Sequence, residues 1–304
     1  MKIGFVSAIL QKKTFEEVID FAAEHGFKCV EVACWPKGKA ERRYAGVTHI
    51  DVDALDDDRI KHIKGYCEQK GVAISALAYY PNILDEDEKK RAELSGHLIK
   101  VIRASARLGV NLVTTFIGRL ESKTVEENLA IAEKVWKPIL EIAENEHVKV
   151  AIENCPMLFD KTQWPGGQNI FTSPRNWRAF FQRLPSDNLG INFDPSHFVW
   201  QMMDYIRPIY EFRDKIFHVH VKDIKLYPEK LNEVGTMGYP LEYMAPKLPG
   251  LGDVDWGKYI SALTDIGYDG YICLEIEDKA FEKDEDSIEK SLILSKRYIE
   301  QFVI

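Results

Sequence analysis

Four side chains able to bind a metal ion each stand at or near the end of a short apolar run. They are Glu153, Asp194, His220 and Glu275. Burying a lone carboxylate is costly, so such groups are normally hydrogen-bonded, ion-paired or bound to metal. One acid at a strand end more commonly caps a helix or bonds a loop, but four in succession favour a shared cation. The oxygen-rich set with one imidazole suits Mn²⁺, Mg²⁺ or Co²⁺. We therefore predict one divalent cation, with Mn²⁺ favoured and Zn²⁺ also admissible.

Two further histidines, His218 and His197, lie close to these residues in the sequence. His218 and His220 are two positions apart in one apolar run, so both face the same side of a strand. We assign the ligand role to His220, which is nearer the strand's carboxyl end, and expect His218 to be a hydrogen-bonded interior residue. His197 lies three residues beyond Asp194, so we expect it to contact substrate rather than serve as an obligatory ligand.

The elements that must position these residues alternate between short apolar strands and longer amphipathic helices. Strands are predicted at about 2–6, 29–34, 72–78, 112–117, 148–153, 189–194, 216–221 and 271–276. Eight such units in 304 residues predict a single (β/α)₈ TIM barrel over residues 1–304, of the α/β class. A doubly wound open sheet is the alternative, but the segment after the first strand, Ser7–Leu10, lacks the glycines of a phosphate-binding loop. In a barrel, the carboxyl ends of the strands meet at one rim, where functional residues collect.

The motifs around these strand ends resemble a known family. They are Ile152-Glu153-Asn154, Phe193-Asp194-Pro195-Ser196-His197, His220-Val221-Lys222-Asp223, Pro249-Gly250-Leu251-Gly252-Asp253-Val254-Asp255-Trp256 and Cys273-Leu274-Glu275. In this order they are similar to the xylose-isomerase-like superfamily, and more narrowly to its sugar phosphate isomerase/epimerase branch.

The resemblance carries implications for individual residues. It implies that Glu153, Asp194, His220 and Glu275 are the metal ligands. It also implies that the two glutamates exchange protons on opposite faces of the substrate, and that His197 binds a substrate hydroxyl. Lys222 and Lys225 stand where the family usually has an arginine, and we expect Lys222 to bind substrate.

The function implied is that of a metal-dependent isomerase or epimerase acting on a keto-sugar or related polyol. A divalent cation stabilises the enediolate formed when a carboxylate removes a C–H proton beside a carbonyl. The alternative is a carbon–oxygen lyase of the same branch, either inosose-dehydratase-like or eliminating from a 3-keto-glycoside. Such a lyase uses the same enolate and expels a β-substituent, so the sequence leaves both reactions open. A non-catalytic sugar-binding barrel is disfavoured because all four candidate ligands are present.

Aromatic and amide side chains near the rim are candidates for sugar binding. We expect Trp35, Tyr79, Asn82 and Trp164 to contact substrate. Packing in the core or in a lid would explain the presence of any single one of them equally well. The segment 154–172 is rich in glycine, proline and aromatic residues and reads as a lid that excludes water.

Composition limits the possible partners. The formal net charge is −8, which disfavours nucleic-acid binding. A nuclease like endonuclease IV would also need histidines where this chain has Trp35, Tyr79 and Thr115. The five cysteines form no C-x-x-C pair, and no apolar run reaches the length of a membrane span. We expect a cytoplasmic homo-oligomer, a dimer or tetramer, whose partner is a small-molecule carbohydrate, with no nucleic acid and no membrane contact.

Overall fold

The central element is a closed barrel. The computed structural model describes residues 1–38, 44–158, 161 and 164–303. Within them, parallel strands close in the order β1-β10-β7-β6-β5-β4-β3-β2. The eight barrel strands in the described residues are β1 (Lys2–Val6), β2 (Cys29–Ala33), β3 (Ala73–Ala78), β4 (Leu112–Thr115), β5 (Lys149–Glu153), β6 (Leu189–Phe193), β7 (Ile216–Val221) and β10 (Tyr271–Leu274). The predicted (β/α)₈ fold is confirmed.

Closure of the barrel at β1 depends on a residue without a side chain. Gly4 pairs with Cys273 of β10 on one side and with Cys29 of β2 on the other. A Cβ atom at Gly4 would lie 2.4 Å from both the carbonyl oxygen and the sulfur of Cys29. Glycine at this position therefore lets three neighbouring strands meet at close distance.

Helices cover the outside of the barrel and begin and end at the signals that the sequence carries. They are α1 (Phe15–Glu24), α2 (Asp57–Lys70), α3 (Glu88–Leu108), α4 (Val125–Asn145), α5 (Pro174–Arg183), α6 (Ser196–Val199), α7 (Arg207–Glu211), α8 (Pro228–Val234), α9 (Trp256–Asp265) and α10 (Glu285–Ile299). The predicted capping box of Thr14 and Glu17 is present, and Ser173 caps α5. Among the described residues, no helix has the length and apolar character required to cross a bilayer.

One predicted helix is divided in two. The sequence pattern after the sixth strand predicts a single short helix over about 197–212, but α6 and α7 are separate. Met202 has a φ of 55°, in the left-handed region that interrupts a helix. The Asp204 carboxylate then accepts hydrogen bonds from the backbone N–H groups of Ile206 and Arg207, which starts the next turn.

The segment between β7 and β10 contains a hairpin that the sequence did not reveal. Strands β8 (Asp223–Leu226) and β9 (Met244–Lys247) pair antiparallel, and α8 lies between them. Pro246 pairs opposite Ile224 inside β9. A two-stranded ribbon leaves one edge of each strand free, so a proline is tolerated there. This hairpin forms a wall beside the rim.

Candidate metal centre

The four predicted ligands lie together at the carboxyl-terminal rim of the barrel. Glu153 is the last residue of β5, His220 lies in β7, and Asp194 and Glu275 directly follow β6 and β10. These four strands are neighbours in the barrel order. Glu153, Asp194 and His220 are at most 2% exposed, and the Glu275 side chain is 14% exposed. The structure thus brings the four side chains to one buried place.

The distances among Glu153, His220 and Glu275 match those around a shared cation, since their ligand atoms all lie within 4.8 Å of one another. His220 Nδ1 lies 3.6 Å from Glu153 Oε1 and 3.4 Å from Glu275 Oε2. Asp194 joins the cluster through His197, whose Nε2 is 3.1 Å from Asp194 Oδ2 and 3.6 Å from Glu153 Oε1. Ligand atoms that bind one metal at about 2.0–2.2 Å lie roughly 3–3.6 Å apart.

Several atoms of the cluster are buried without a well-aligned hydrogen-bond partner among the described residues. They are Glu153 Oε1, Asp194 Oδ2, His197 Nε2 and His220 Nδ1. Leaving such atoms unpaired costs free energy, and native proteins rarely do so without a reason. The other oxygen of Asp194 does have a partner, the backbone N–H of Ser196 at 2.8 Å. The unpaired atoms are therefore those that face the cluster, and the donor set fits a divalent cation.

The charges of the cluster lead to the same conclusion. The cluster contains five carboxylates, and the ammonium group of Lys222 pairs with the last two of them: Glu31, Glu153, Asp194, Glu275 and Glu277. Burial favours a lowered pKa for His220, but the charges of Glu31 and Glu153 outweigh it and hold that pKa well above its usual value. The site therefore stabilises additional positive charge.

Glu31 belongs to the site, and the sequence reasoning missed it. Its Oε2 lies 2.7 Å from His220 Nε2, and its Oε1 accepts hydrogen bonds from the Tyr80 hydroxyl at 2.6 Å and the Thr114 hydroxyl at 2.9 Å. Burial would raise the pKa of Glu31, but the charge and hydrogen bond of His220 lower it to about 2. An ionised carboxylate only accepts, so in the neutral imidazole of His220 the contact places the one proton on Nε2 and leaves the Nδ1 lone pair for a metal. The one indication of Glu31 in the sequence was an acidic residue in the middle of the apolar strand β2.

His197 lies beside the cluster, and His218 is a hydrogen-bonded interior residue, as expected for His218. The Trp200 indole donates to His197 Nδ1 at 3.4 Å, which leaves Nε2 as the nitrogen that carries a proton. His218 is fully buried, with Nδ1 3.0 Å from Asn192 Oδ1 and Nε2 3.2 Å from Ser75 Oγ.

Lys222 is a buried cation at the edge of the cluster. Its Nζ lies 2.7 Å from Glu277 Oε2 and 3.4 Å from Glu275 Oε2. Burial would lower the pKa of Lys222, but these two carboxylates hold it well above its usual value. Lys222 therefore stays charged and can donate hydrogen bonds into the adjoining cavity.

The other predicted substrate contacts divide into two groups. Trp35 lines the cavity beside the cluster, and so does Tyr80 rather than the predicted Tyr79. Tyr79 is buried and packs edge-on against Trp35 and His97, with ring centroids 4.9 and 4.6 Å apart. These contacts support a packing role for Tyr79.

Asn82 and Trp164 connect loops instead of facing the cluster. The Asn82 side chain accepts from the N–H groups of Leu84 and Arg119 and donates to the Arg119 carbonyl. The Trp164 indole donates to the Met237 carbonyl at 3.0 Å, and its ring contacts Trp200. Trp164 thus joins the segment 154–172 to the β7–β10 segment. Residues 159, 160, 162 and 163 of the predicted lid lie outside the described part of the chain.

Two connected cavities open at this rim. The inner cavity, of about 90 Å³, is bounded by Glu153, His220 and Glu275. The outer chamber, of about 510 Å³, lies between the loop after β5 and the β8–β9 hairpin. Both cavities share Lys222 and Cys155, and Cys155 also groups with Glu153 and His197 as a possible metal-binding set. The sequence reasoning did not consider Cys155.

Known proteins share this architecture. The chain is 23% identical over 287 residues to an inosose isomerase of Bacillus velezensis, which covers 91% of this chain and 88% of the relative. It is 24% identical over 273 residues to an inosose dehydratase of Clostridium tetani, covering 88% and 83%. Among solved structures, the IOLI protein with a bound zinc atom aligns with a TM-score of 0.73 and 19% identity, over 99% of both chains. D-psicose 3-epimerase from Clostridium cellulolyticum H10, solved with D-tagatose, aligns with a TM-score of 0.69 and 15% identity, over 100% and 99%.

The family itself is shown by a match along almost the whole chain. A sequence model of the xylose isomerase-like TIM barrel matches residues 19–298, which include every residue of the cluster. The protein therefore belongs to the xylose isomerase-like TIM-barrel family.

Proposed function

We propose that this protein is a divalent-metal-dependent enzyme that isomerises or epimerises a keto-sugar or related polyol. The observation that carries the proposal is the convergence of ligand atoms from Glu153, His220 and Glu275 on one point, with a buried oxygen of Asp194 beside them at His197. The relatives that act on inososes and the structural neighbours that are sugar epimerases support the same chemistry. Mn²⁺ is the favoured metal because oxygen atoms dominate the donor set. Cys155, close to Glu153 and His197, makes Zn²⁺ the main competitor.

The arrangement suits proton transfer at a carbon beside a carbonyl. When bound, the cation supplies a Lewis acid that acidifies this C–H bond. Glu153 and Glu275 reach the inner cavity from β5 and β10, which are separated by two strands, so their carboxylates approach from different sides. One carboxylate removes the proton, and the other returns a proton to the opposite face. The His197 Nε2–H and the Lys222 ammonium group hold substrate hydroxyls at the mouth of the cavity.

The test combines metal analysis with hydrogen exchange. Purified protein is loaded with Mn²⁺ and incubated in D₂O with a panel of keto-sugars, and NMR follows loss of the substrate C–H signal. We expect one cation per chain and exchange at a carbon next to the carbonyl. Glu153→Gln and Glu275→Gln should each reduce turnover by roughly 10²–10⁴-fold, as removal of a general base does. The exposed Glu285→Gln serves as the control. Wild-type turnover in both site variants would refute the two-carboxylate mechanism.

A lyase reaction is the second candidate. The buried ammonium of Lys222 beside Glu277 could protonate a departing β-hydroxyl, and a relative is an inosose dehydratase. Elimination produces a conjugated carbon–carbon double bond, whereas epimerisation conserves the molecular formula. Product mass and ultraviolet absorbance distinguish the two reactions on the same substrate.

A further inference from the structure

The outer chamber is too large and too apolar to serve only the reacting part of a free sugar. Its volume is about 510 Å³, against about 90 Å³ for the inner cavity. Pockets for small molecules usually measure about 300–1,000 Å³, so the inner cavity alone is small for a complete ligand. The inner cavity fits the reacting end of a substrate, and the chamber has room for a second ring.

The chamber is continuous with the candidate metal centre. Cys155, Met157, Lys222 and Glu277 line both cavities. A molecule whose reacting carbon lies at the cluster therefore extends into the chamber past Lys222. The chamber is in this sense an extension of the same site and not a separate pocket.

The walls of the chamber determine what can occupy it. Apolar side chains come from three places: the loop after β5, the segment after β6 and the β7–β10 segment. They include Leu158, Trp200, Ile224, Leu241, Met244 and Pro246. Against these side chains, the hydroxyls of a linear sugar would lose their water without gaining hydrogen-bond partners. An aromatic or aliphatic group would instead bury apolar surface.

Most of the positive charge of the chamber is already paired. Three lysines line it: Lys222 is paired with Glu275 and Glu277, Lys247 lies 3.5 Å from Asp278, and the exposed Lys279 has no carboxylate within 4.0 Å among the described residues. Glu277 and Asp278 also line the chamber, so a phosphate would meet two carboxylates there.

We propose that the outer chamber binds an uncharged, largely apolar group linked to the reacting sugar, so that the substrate is a glycoside. This inference rests on the proposed sugar chemistry at the metal centre. It assigns the apolar group to the chamber and the sugar ring to the cavity beside Glu153, His220 and Glu275.

The test compares matched, non-reacting glycosides on the Mn²⁺-loaded protein. The methyl and 4-nitrophenyl glycosides of D-glucose, D-galactose, D-mannose and D-xylose are titrated by calorimetry, together with the free sugars, their phosphates and 4-nitrophenol. For at least one sugar, we expect the 4-nitrophenyl glycoside to bind at least tenfold more tightly than the methyl glycoside. It should also bind more tightly than 4-nitrophenol alone.

Substitutions in the chamber test whether the preference for the 4-nitrophenyl glycoside arises there. Leu241→Asp places a charge on a wall residue that is 46% exposed, and Ala280→Trp fills the chamber at an exposed lining position. Each should remove most of the tenfold preference and leave methyl-glycoside binding and metal stoichiometry unchanged. Leu251→Asp is the matched control, because Leu251 is 54% exposed and does not line the chamber. It should retain the preference.

The outcomes separate this proposal from the proposed function. Affinities within threefold for every methyl and 4-nitrophenyl pair, or tighter binding of a sugar phosphate, would overturn the glycoside assignment. Equal binding of 4-nitrophenol and its glycosides would overturn it as well. The metal-dependent function would still stand if C–H exchange of a keto-sugar is observed. If no sugar derivative binds and no keto-sugar exchanges, both proposals fail.

Discussion

Glu31 determines which nitrogen of His220 is available to a cation. The Glu31 Oε2–His220 Nε2 distance is 2.7 Å, and the Tyr80 and Thr114 hydroxyls fix the second carboxylate oxygen. Carboxylates that orient a metal-binding histidine typically contribute 10–100-fold to metal affinity. We expect Glu31→Gln to weaken Mn²⁺ binding by about that factor, measured by competition with a chelating dye.

A surface pair provides the control for Glu31. Glu16 Oε1 lies 2.9 Å from His62 Nε2, which is a similar glutamate–histidine contact away from the rim. Glu16→Gln should leave Mn²⁺ affinity within twofold of wild type. The same result for Glu31→Gln would contradict the orienting role.

His197 should support turnover without holding the metal. Its Nδ1 accepts from Trp200, so Nε2 bears a proton and cannot also offer a lone pair to a cation. We expect His197→Ala to lower kcat/KM by roughly 10²-fold while metal content, measured by plasma emission spectroscopy, remains near one per chain. Loss of the metal from this variant would instead make His197 a ligand.

The positions of the rim residues could be predicted because each one lies at or next to the end of its own strand, whereas contacts across the barrel could not. Glu153, Asp194, His220 and Glu275 are all recognisable next to apolar runs. Glu31 meets His220 because β2 and β7, which are separated by two strands in the closed barrel, both point these side chains into the interior. The local sequence does not predict that contact. The choice of Tyr79 over Tyr80 shows a related limit, since a shift by one residue reverses the face of a strand.

At the scale of elements, Asp223 fastens the β7–β10 segment to the barrel. Its carboxylate accepts hydrogen bonds from the N–H groups of Ile224, Gly250 and Val254 and from the Trp256 indole, all at 2.8–3.1 Å. Removing it leaves buried donors unpaired, each at a cost of about 1–3 kcal/mol that is only partly additive. We expect Asp223→Ala to lower the free energy of unfolding by about 3–5 kcal/mol in urea titrations. Asp253→Ala, at an exposed residue with one such bond to Leu226, should cost less than about 1 kcal/mol.

The β8–β9 hairpin shows why some elements could not be predicted from the sequence. Its strands are four residues long and one contains Pro246, which normally argues against a strand. The division between α6 and α7 could not be predicted for a different reason. Met202 adopts a left-handed conformation there, and methionine is not a residue type that indicates this conformation. The long helix α4 was easier, because the apolar periodicity predicts a helix over about 125–145 and the structure has it at Val125–Asn145, capped by Thr124.

At the scale of the whole molecule, barrel closure should be sensitive to one methyl group. In Gly4→Ala, the new Cβ would lie 2.4 Å from Cys29 atoms, so the strands must separate. Overpacking of this kind typically costs about 1–3 kcal/mol, and here the crowded atoms include backbone. We expect a loss of at least that size in the free energy of unfolding. Gly65→Ala is the control, because nothing lies within 4 Å of its Cβ in the middle of α2, and it should stabilise by about 0.5–1 kcal/mol. Equal stabilities of the two variants would contradict this account.

Metal removal should also be detectable in the stability of the entire barrel. The proposed ligands come from four adjacent strands, so a cation would connect half of the barrel wall. At a free metal concentration 100 times the Kd, binding stabilises the folded state by about 2.7 kcal/mol. We expect a chelator to lower the Tm by a few degrees and Mn²⁺ to restore it, measured by scanning calorimetry. Asp194→Asn should reduce this metal-dependent shift. A shift of full size in that variant would place the metal elsewhere.

The hydrogen bonds of Asp223 have a consequence for how such an enzyme can diversify. They bring the start of the β7–β10 segment at Asp223 and its return at Gly250 and Val254 to a single side chain. The two ends of this segment are therefore held at one fixed place, whatever lies between them. Because the entropy of closing a loop rises only slowly with its length, the intervening residues can be lengthened, shortened or replaced while the anchoring residues and the barrel stay the same. Protein engineering could therefore exchange this segment between relatives, which would keep the residues of the rim and change which molecules can bind there.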